Sequence, residues 1–202
     1  GGLLIAIPED GATWVASSCL ALALVGVVTA WWMPPSPSDV PDLKINWNPV
    51  TESWQNVALS RQQPAVFRSI LGISWMWFFG AVFLSNFPAF AKEVLHGNEQ
   101  VASLLLVVFS VGIGAGSLLC EKLSHRQVEI GLVPLGAIGL TVFGVDLYFA
   151  RPDAVDVHGL AVMAFIASDG AWRILLDLAM IGVFGGFYIV PLFALIQSRS
   201  PR

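Results

Sequence analysis

Long apolar runs separated by short polar segments dominate this chain. Residues 101–120 carry no charge and are followed at once by the charged, polar segment 121–126. Twenty helical residues rise about 30 Å, which matches the hydrocarbon core of a bilayer. Gly112 and Gly116 lie four positions apart, so they share a helix face and allow another helix to approach closely. The pattern predicts a membrane-spanning helix with a face of small residues.

The same pattern recurs along the chain and predicts five complete spans, at residues 14–33, 69–91, 101–120, 128–150 and 174–195. Pro88 in the second span predicts a kink, because proline lacks the amide hydrogen that continues a helix. Glycines beside Pro191 predict a bend or local break in the fifth span. The fold class that follows is all-α: a polytopic helical membrane protein.

Two segments between the spans are not long enough or apolar enough to cross a bilayer. The polar segment 40–63 separates the first two spans, and its part 50–61 is expected to form a short helix at the membrane surface. The apolar stretch 159–167 is too short to cross and is expected to be a re-entrant or surface segment.

Composition supports a membrane protein and argues against a nucleic-acid partner. Charged residues make up 12% of the chain, about half of what a soluble domain carries. The net charge of −4 is spread over loops without a basic run. The chain begins with glycine, and we expect it to be a fragment of a longer protein.

The distribution of Lys and Arg predicts how the chain is oriented. Basic residues favour the cytoplasmic side of a membrane. The loops after the first, third and fifth spans carry seven of them, against three in the alternate loops. These loops, including the long segment between the first two spans, are therefore expected to be cytoplasmic.

Asp146 and Asp177 are the only carboxylates inside apolar runs. A charge in the bilayer is costly, so such acids are candidates for function. Both lie about one turn from the outer end of a span, however, and Arg173 precedes Asp177 by four residues. A structural Arg173–Asp177 pair on one helix face is the alternative to a proton or substrate site.

The second span offers candidates of a different kind. Asn86 is hard to accommodate in lipid and is expected to face a cavity, whereas serines there are expected to bond to their own helix. The aromatic cluster around Trp77 is either a lipid or packing surface, or the apolar wall that an amphipathic substrate needs.

Known catalytic arrangements do not occur in this sequence. Its three histidines are far apart in loops and have no metal-ligand spacing. No glycine-rich phosphate loop or nucleophile elbow is found. We therefore expect this chain not to be an enzyme and to need no metal or cofactor, although a longer fused polypeptide is left open.

The hairpin after the third span resembles the cytoplasmic signature of the major facilitator superfamily, Gly-x-x-x-Asp-Arg-x-Gly-Arg-Arg. Ser117 stands at the first glycine, Glu121 at the acid, Lys122 at the first base and Arg126 at the last. The resemblance implies that these residues form a cytoplasmic gate, in which charges link the two helical bundles at a helix terminus.

Longer segments are similar to bacterial lysophospholipid transporters of this superfamily. They are residues 77–80, 87–92, 109–114 and 185–192. The resemblance implies a fragment of a twelve-helix fold: residues 1–33 end the N-terminal bundle, 34–68 are the cytoplasmic linker, and 69–202 are part of the C-terminal bundle. The second, third and fifth spans would border the central path.

The function implied is alternating-access transport of a lysophospholipid, or another amphipathic lipid, across the inner membrane. Asn86, Asp177 and Trp77 are the candidates for the substrate path. The alternatives are an efflux transporter for another small solute and the membrane anchor of a fused phospholipid acyltransferase. The expected partners are the lipid bilayer and the lipid substrate, with a fused or associated acyltransferase left open.

Overall fold

A computed structural model describes residues 10–34, 47–124, 129–150 and 159–199. Within these ranges the chain is helical, and the only pairing of β type is an isolated bridge between Gly97 and Leu160. The α-helices are, in order, α1 (Gly11–Trp31), α2 (Pro49–Arg61), α3 (Pro64–Ala89), α4 (Glu99–Leu123), α5 (Leu132–Phe149), α6 (Val162–Ile166) and α7 (Ala171–Arg199).

Five of these helices are long and apolar enough to cross a membrane, namely α1, α3 with the turn that follows it, α4, α5 and α7. They coincide with the five predicted spans, so the predicted polytopic helical fold is confirmed. The short helix predicted near residue 50 is also present as α2. Its first turn is capped by Asn48, whose side-chain oxygen accepts hydrogen bonds from the amides of Val50 and Thr51.

The chain divides into two compact units, Gly1–Ser53 and Trp54–Arg202. The first unit contains α1, in which Gly11 is the only buried residue. Leucine, valine and tryptophan side chains are exposed along the rest of α1. A helix that is apolar on all sides and covered by little protein is stable when lipid surrounds it.

In the second unit, α7 is the central helix. It packs against α3, α4 and α5, and also touches α6. Its most apolar stretch is 44% buried, compared with 11% for that of α5. The other spans are therefore arranged around α7, which presents packed faces in several directions.

Glycines on α4 bring the backbones of α4 and α7 together. Gly112 and Gly116 are both buried, and both face α7. A methyl group at Gly112 would overlap the backbone carbonyl of Ala179, and one at Gly116 would overlap that of Val183. The predicted packing face of α4 is therefore confirmed, and its partner is α7.

The glycines of α7 complete the contact from the other side. A methyl group at Gly182 would lie 2.5 Å from the carbonyl oxygen of Phe109, and one at Gly186 would lie 2.7 Å from the carbonyl carbon of Gly116. Each helix thus places two glycines, four residues apart, against the backbone of the other. We call the four residues Gly112, Gly116, Gly182 and Gly186 the glycine seam.

A second close contact joins α5 to α7 by a different arrangement. Gly136 faces the backbone of Tyr188, and Gly139 faces the ring of Phe184. Phe184 also stacks on Phe143 of α5, with ring centroids 5.6 Å apart. The ring of Phe184 occupies the space left free by the missing side chain of Gly139, so α5 can lie close along α7.

Apolar side chains fill the space between α3, α4 and α7 beyond the glycine seam. Leu105, Leu178 and Ile181 are fully buried there. Phe87 of α3 meets Phe109 of α4 edge to face, with centroids 5.7 Å apart. This core lies toward the ends of the helices that are predicted to be on the outer side of the membrane.

The two prolines have different effects on their helices. After Pro88 the α-helix ends at Ala89 and the chain continues as a π-helical turn, Phe90–Val94, where a kink was expected. Of the bend or local break predicted at Pro191, the break is wrong, because α7 continues through this residue as one α-helix. Pro191 is buried, and the next residue, Leu192, lies against Gly72 of α3.

The loop after α3 and the loop before α6 are paired. The amide of Asn98 donates to the carbonyl of Leu160, and the amide of Leu160 donates to that of His96. Asn98 also caps α4, since its side chain accepts from the amides of Gln100 and Val101. The stretch predicted as too short to cross contains only the five-residue helix α6.

The glycine seam predicts how substitutions on α4 affect stability. Gly116→Ala places a methyl group inside the backbone of α7, and we expect it to reduce the free energy of unfolding by about 1–3 kcal/mol. Gly114→Ala is the matched control, because a methyl group there meets no atom of the described residues within 4 Å. Thermal unfolding of the detergent-solubilised protein measures both. Equal stability of the two variants would contradict the close contact.

Candidate functional site

An ion pair joins α5 to α7 near their predicted outer ends. The Arg173 guanidinium donates from Nε to one carboxylate oxygen of Asp146 at 3.0 Å and from Nη2 to the other at 2.5 Å. Both side chains are partly exposed, Arg173 at 51% and Asp146 at 39%. Two parallel hydrogen bonds between these groups fix both distance and orientation, so the pair links the two helices.

Asp177 lies one turn further along α7, in a different environment. It is 1% exposed, and its Oδ2 atom has no hydrogen-bond partner in the described residues. Its carboxyl group is close enough to interact with Asp146 and Arg173. We call Asp146, Arg173 and Asp177 the charged cluster.

The pairing within the charged cluster differs from the one that the sequence suggested. The i, i+4 spacing on α7 allowed an Arg173–Asp177 pair, but both donating groups of Arg173 are directed at Asp146. The sequence could not show this, because Asp146 is 27 residues away from Arg173 and reaches it only through the packing of α5 on α7.

The side-chain amide nitrogen of Asn86 has a hydrogen-bond acceptor on its own helix, so it does not need a polar cavity. Its side-chain nitrogen donates to the carbonyl of Val82 on the preceding turn, at 2.7 Å, and the side chain is exposed. Ser74 and Ser85 bond to carbonyls of their own helix as predicted.

Trp77 and Asn86 lie on opposite sides of α3. They are nine positions apart, which is a rotation of about 180° at 3.6 residues per turn. The buried face of α3, which contains Met76 and Phe87, runs between them. Trp77 is 66% exposed. The two residues therefore cannot line the same wall of a path, although each is open to a different surface.

The predicted gate residues lie in the last turns of α4, except Arg126, which is outside the described residues. The hydroxyl group of Ser117 donates to the carbonyl of Ile113 at 2.9 Å. Glu121 and Lys122 are both exposed near the end of the helix. Lys122 complements the negative end of the helix dipole there, whereas Glu121 opposes it.

A cleft that the sequence did not reveal lies between the end of α3 and the start of α4, and we call it the outer cleft. Its volume is about 930 Å³. Charged and polar side chains at its rim come from Lys92, Glu93, His96, Asn98 and Glu99, while Pro88, Ala102 and Leu106 form an apolar part. The only signal in the sequence was a short run of both charge signs just after the second span.

The chemistry of the outer cleft suits an amphipathic molecule. Lys92 can pair with an anionic group, Glu93 and Glu99 can pair with a cationic one, and the apolar residues can contact a hydrocarbon chain. No group of three or more His, Cys, Asp or Glu suited to a metal ion occurs in the described ranges.

Curated proteins with similar sequences are named lysophospholipid transporter LplT. The relative from Klebsiella pneumoniae strain 342 is 28% identical over 194 residues, which is 94% of this chain and 44% of the relative. The relative from Serratia proteamaculans strain 568 is 28% identical over 189 residues, or 90% of this chain and 42% of the relative. The resemblance to bacterial lysophospholipid transporters is therefore confirmed.

The chain spans less than half the length of these curated relatives. No family model matches the chain. No solved structure matches it either. The relatives and the five apolar helices together support a multi-pass protein of the inner membrane.

The orientation of the gate can be tested with one cysteine at a time. In a variant with Cys19 and Cys120 replaced by alanine, Ser124→Cys at the end of α4 should resist a membrane-impermeant maleimide in intact cells and react after permeabilisation. Asp169→Cys, in the exposed turn before α7, is the control and should react in intact cells. Labelling of Ser124→Cys in intact cells would show that the end of α4 faces outward, opposite to the predicted orientation.

Proposed function

We propose that this chain is part of a major facilitator transporter that moves a lysophospholipid across the inner membrane. The observation that carries the proposal is similarity over most of the chain to curated lysophospholipid transporters, together with five helices able to cross a bilayer. Residues 1–33 would end one helical bundle, 34–68 would link the bundles, and 69–202 would form part of the second.

Alternating access is the mechanism that we propose for this transporter. In such transporters one helical bundle moves as a unit against the other around a central path. The close backbone contacts of α7 with α4 and α5 support this, because they hold the second unit together as one packed body. A bundle tied in this way can rock without its own helices separating.

For the cytoplasmic gate we propose Ser117, Glu121, Lys122 and Arg126. Glu121 is exposed at the end of α4, where the helix dipole disfavours an acid. An acid in this position gains by pairing with a helix N-terminus or a base on the other bundle. Such a contact is weak enough to form in one state and break in the other, which is what a gate requires.

For the substrate path we propose Asn86, Asp177 and Trp77, with different roles. Asn86 would offer a polar contact and Trp77 an apolar surface, and because they lie on opposite sides of α3 they would contribute to separate walls. Asp177 would act from behind the path rather than by direct contact, since it is buried. The outer cleft, with both charge signs and an apolar part, would receive the lipid at the membrane surface.

The alternatives have less support from the chain. An efflux transporter for another solute would also need five spans and a gate, but the relatives are named for lysophospholipid. A membrane anchor for a fused acyltransferase would not require the charged hairpin that resembles the gate. Such a fused or associated enzyme is compatible with the proposed transporter.

Transport in liposomes tests the proposed function. We expect the full-length protein, reconstituted into vesicles, to move fluorescent lysophosphatidylethanolamine between leaflets faster than protein-free vesicles do. Unlabelled lysolipid should compete, and small drug-like cations should not. A rate equal to that of empty vesicles would refute the substrate, and competition by the cations alone would favour the efflux alternative.

The gate makes a separate prediction in the same assay. Glu121→Gln removes the charge of the proposed latch and keeps the size of the side chain, so we expect lysolipid movement to slow by at least tenfold. Glu129→Gln is the matched control, because this exposed acid lies outside the signature. If both variants transport like the wild type, Glu121 is not part of a gate.

A further inference from the structure

The charged cluster contains an acid that the pairing observed in the structure does not satisfy. Arg173 directs both of its donating nitrogens at Asp146, and Asp177 is left with an unpartnered oxygen in a fully buried position. Yet Asp177 is four residues from Arg173 on the same face of α7, where a change of side-chain rotamer would bring the guanidinium to it. The pairing of Arg173 with Asp146 rather than with Asp177 therefore requires a physical explanation.

The difference in exposure between Asp146 and Asp177 explains this pairing. Asp146 is 39% exposed on its side chain, so water or lipid headgroups can solvate its charge. Asp177 is 1% exposed, and an ionised carboxylate without a partner is very costly in such a place. If both acids were ionised, the buried one would gain far more from Arg173. The observed pairing is the favourable one only when Asp177 is neutral.

No other cation competes for Asp177 within the described residues. The helices packed against α7 are α3, α4, α5 and α6. The charged groups that interact with Asp177 are Asp146 from α5 and Arg173 from α7 itself. A neutral Asp177 leaves the cluster with one positive and one negative charge, which balance.

We propose that Asp177 is a proton-binding site that decides which acid Arg173 holds. With the proton on Asp177, Arg173 pairs with Asp146 and links α7 to α5. When the proton leaves to water at the outer surface, the carboxylate of Asp177 takes the guanidinium. Asp146 then remains ionised and solvated, and the link between the helices is lost. One proton is released, and no other bond is formed or broken.

The burial of Asp177 favours a proton as its ligand, because a lipid headgroup is too large to reach it. Asp177 is too deeply buried for an ammonium group of a lipid to reach it in this arrangement. A proton can reach it through the Asp146–Arg173 pair, which is half exposed and lies within interaction distance. The proposal does not require the substrate to be a lysolipid.

Infrared spectroscopy of the full-length protein in lipid nanodiscs tests the proposal. At mildly acidic pH we expect the carbonyl band of a protonated carboxylic acid, shifted in D₂O, with the intensity of one group. Asp177→Asn should remove this band. Asp146→Asn should remove it too, because the released Arg173 then ionises Asp177. Asp169→Asn, an exposed acid in the turn before α7, is the control and should keep it.

Each result decides for or against the proposal. Absence of the band in the wild type, or its persistence in Asp177→Asn or in Asp146→Asn, would overturn the assignment. If Asp177→Asn does not fold, titration of the wild-type band decides in its place. The band should disappear as the pH is raised, and in Asp146→Asn it should be absent over the same pH range.

Discussion

Backbone contact between α4 and α7 is the constraint on which the rest of the described structure depends. In lipid, burying apolar side chains gives helices little reason to associate, because the lipid tails are as apolar as the side chains. Close van der Waals contact between backbones supplies that reason, and only glycine permits it here. The glycine seam fixes the distance and register of α4 and α7, and with them the position of the apolar core above it.

The central place of α7 follows from its several faces. One face carries the glycines of the seam, a second carries Phe184 and Tyr188 against the glycines of α5, and a third meets α3. Polar groups are concentrated at one end of this helix, in the charged cluster. Packing by small residues and pairing by charges therefore act at different depths of the same helix, so that one can change while the other persists.

This separation suits the proposed transport. A bundle held by glycine contacts through its middle can move as one body, while weaker polar links at its ends form and break. In the proposed mechanism, the charged cluster at the outer end of α5 and α7 and the proposed gate residues at the other end of α4 would be links of this kind. Neither is needed to explain why the helices pack, which leaves both open to a role in switching between states.

The number, type and approximate limits of the spans could be predicted from the sequence, because a bilayer imposes a length and an apolarity that each helix must meet within its own residues. The packing face of α4 was visible for a similar reason, since glycines four apart lie on one face whatever the neighbouring helix is. Similar reasoning on single helices was less reliable for Pro191, where α7 continues as one helix.

Relationships between distant residues were decided only by the tertiary structure. The sequence identified Asp146, Asp177 and Arg173 but not the pairing of Arg173 with Asp146, and it did not reveal the cleft around Lys92 and Glu99. Ion pairs and clefts depend on which helices lie side by side and at what rotation. The local pattern of apolar and polar residues determines that a helix forms and crosses the membrane; it does not determine which of its neighbours each side chain meets.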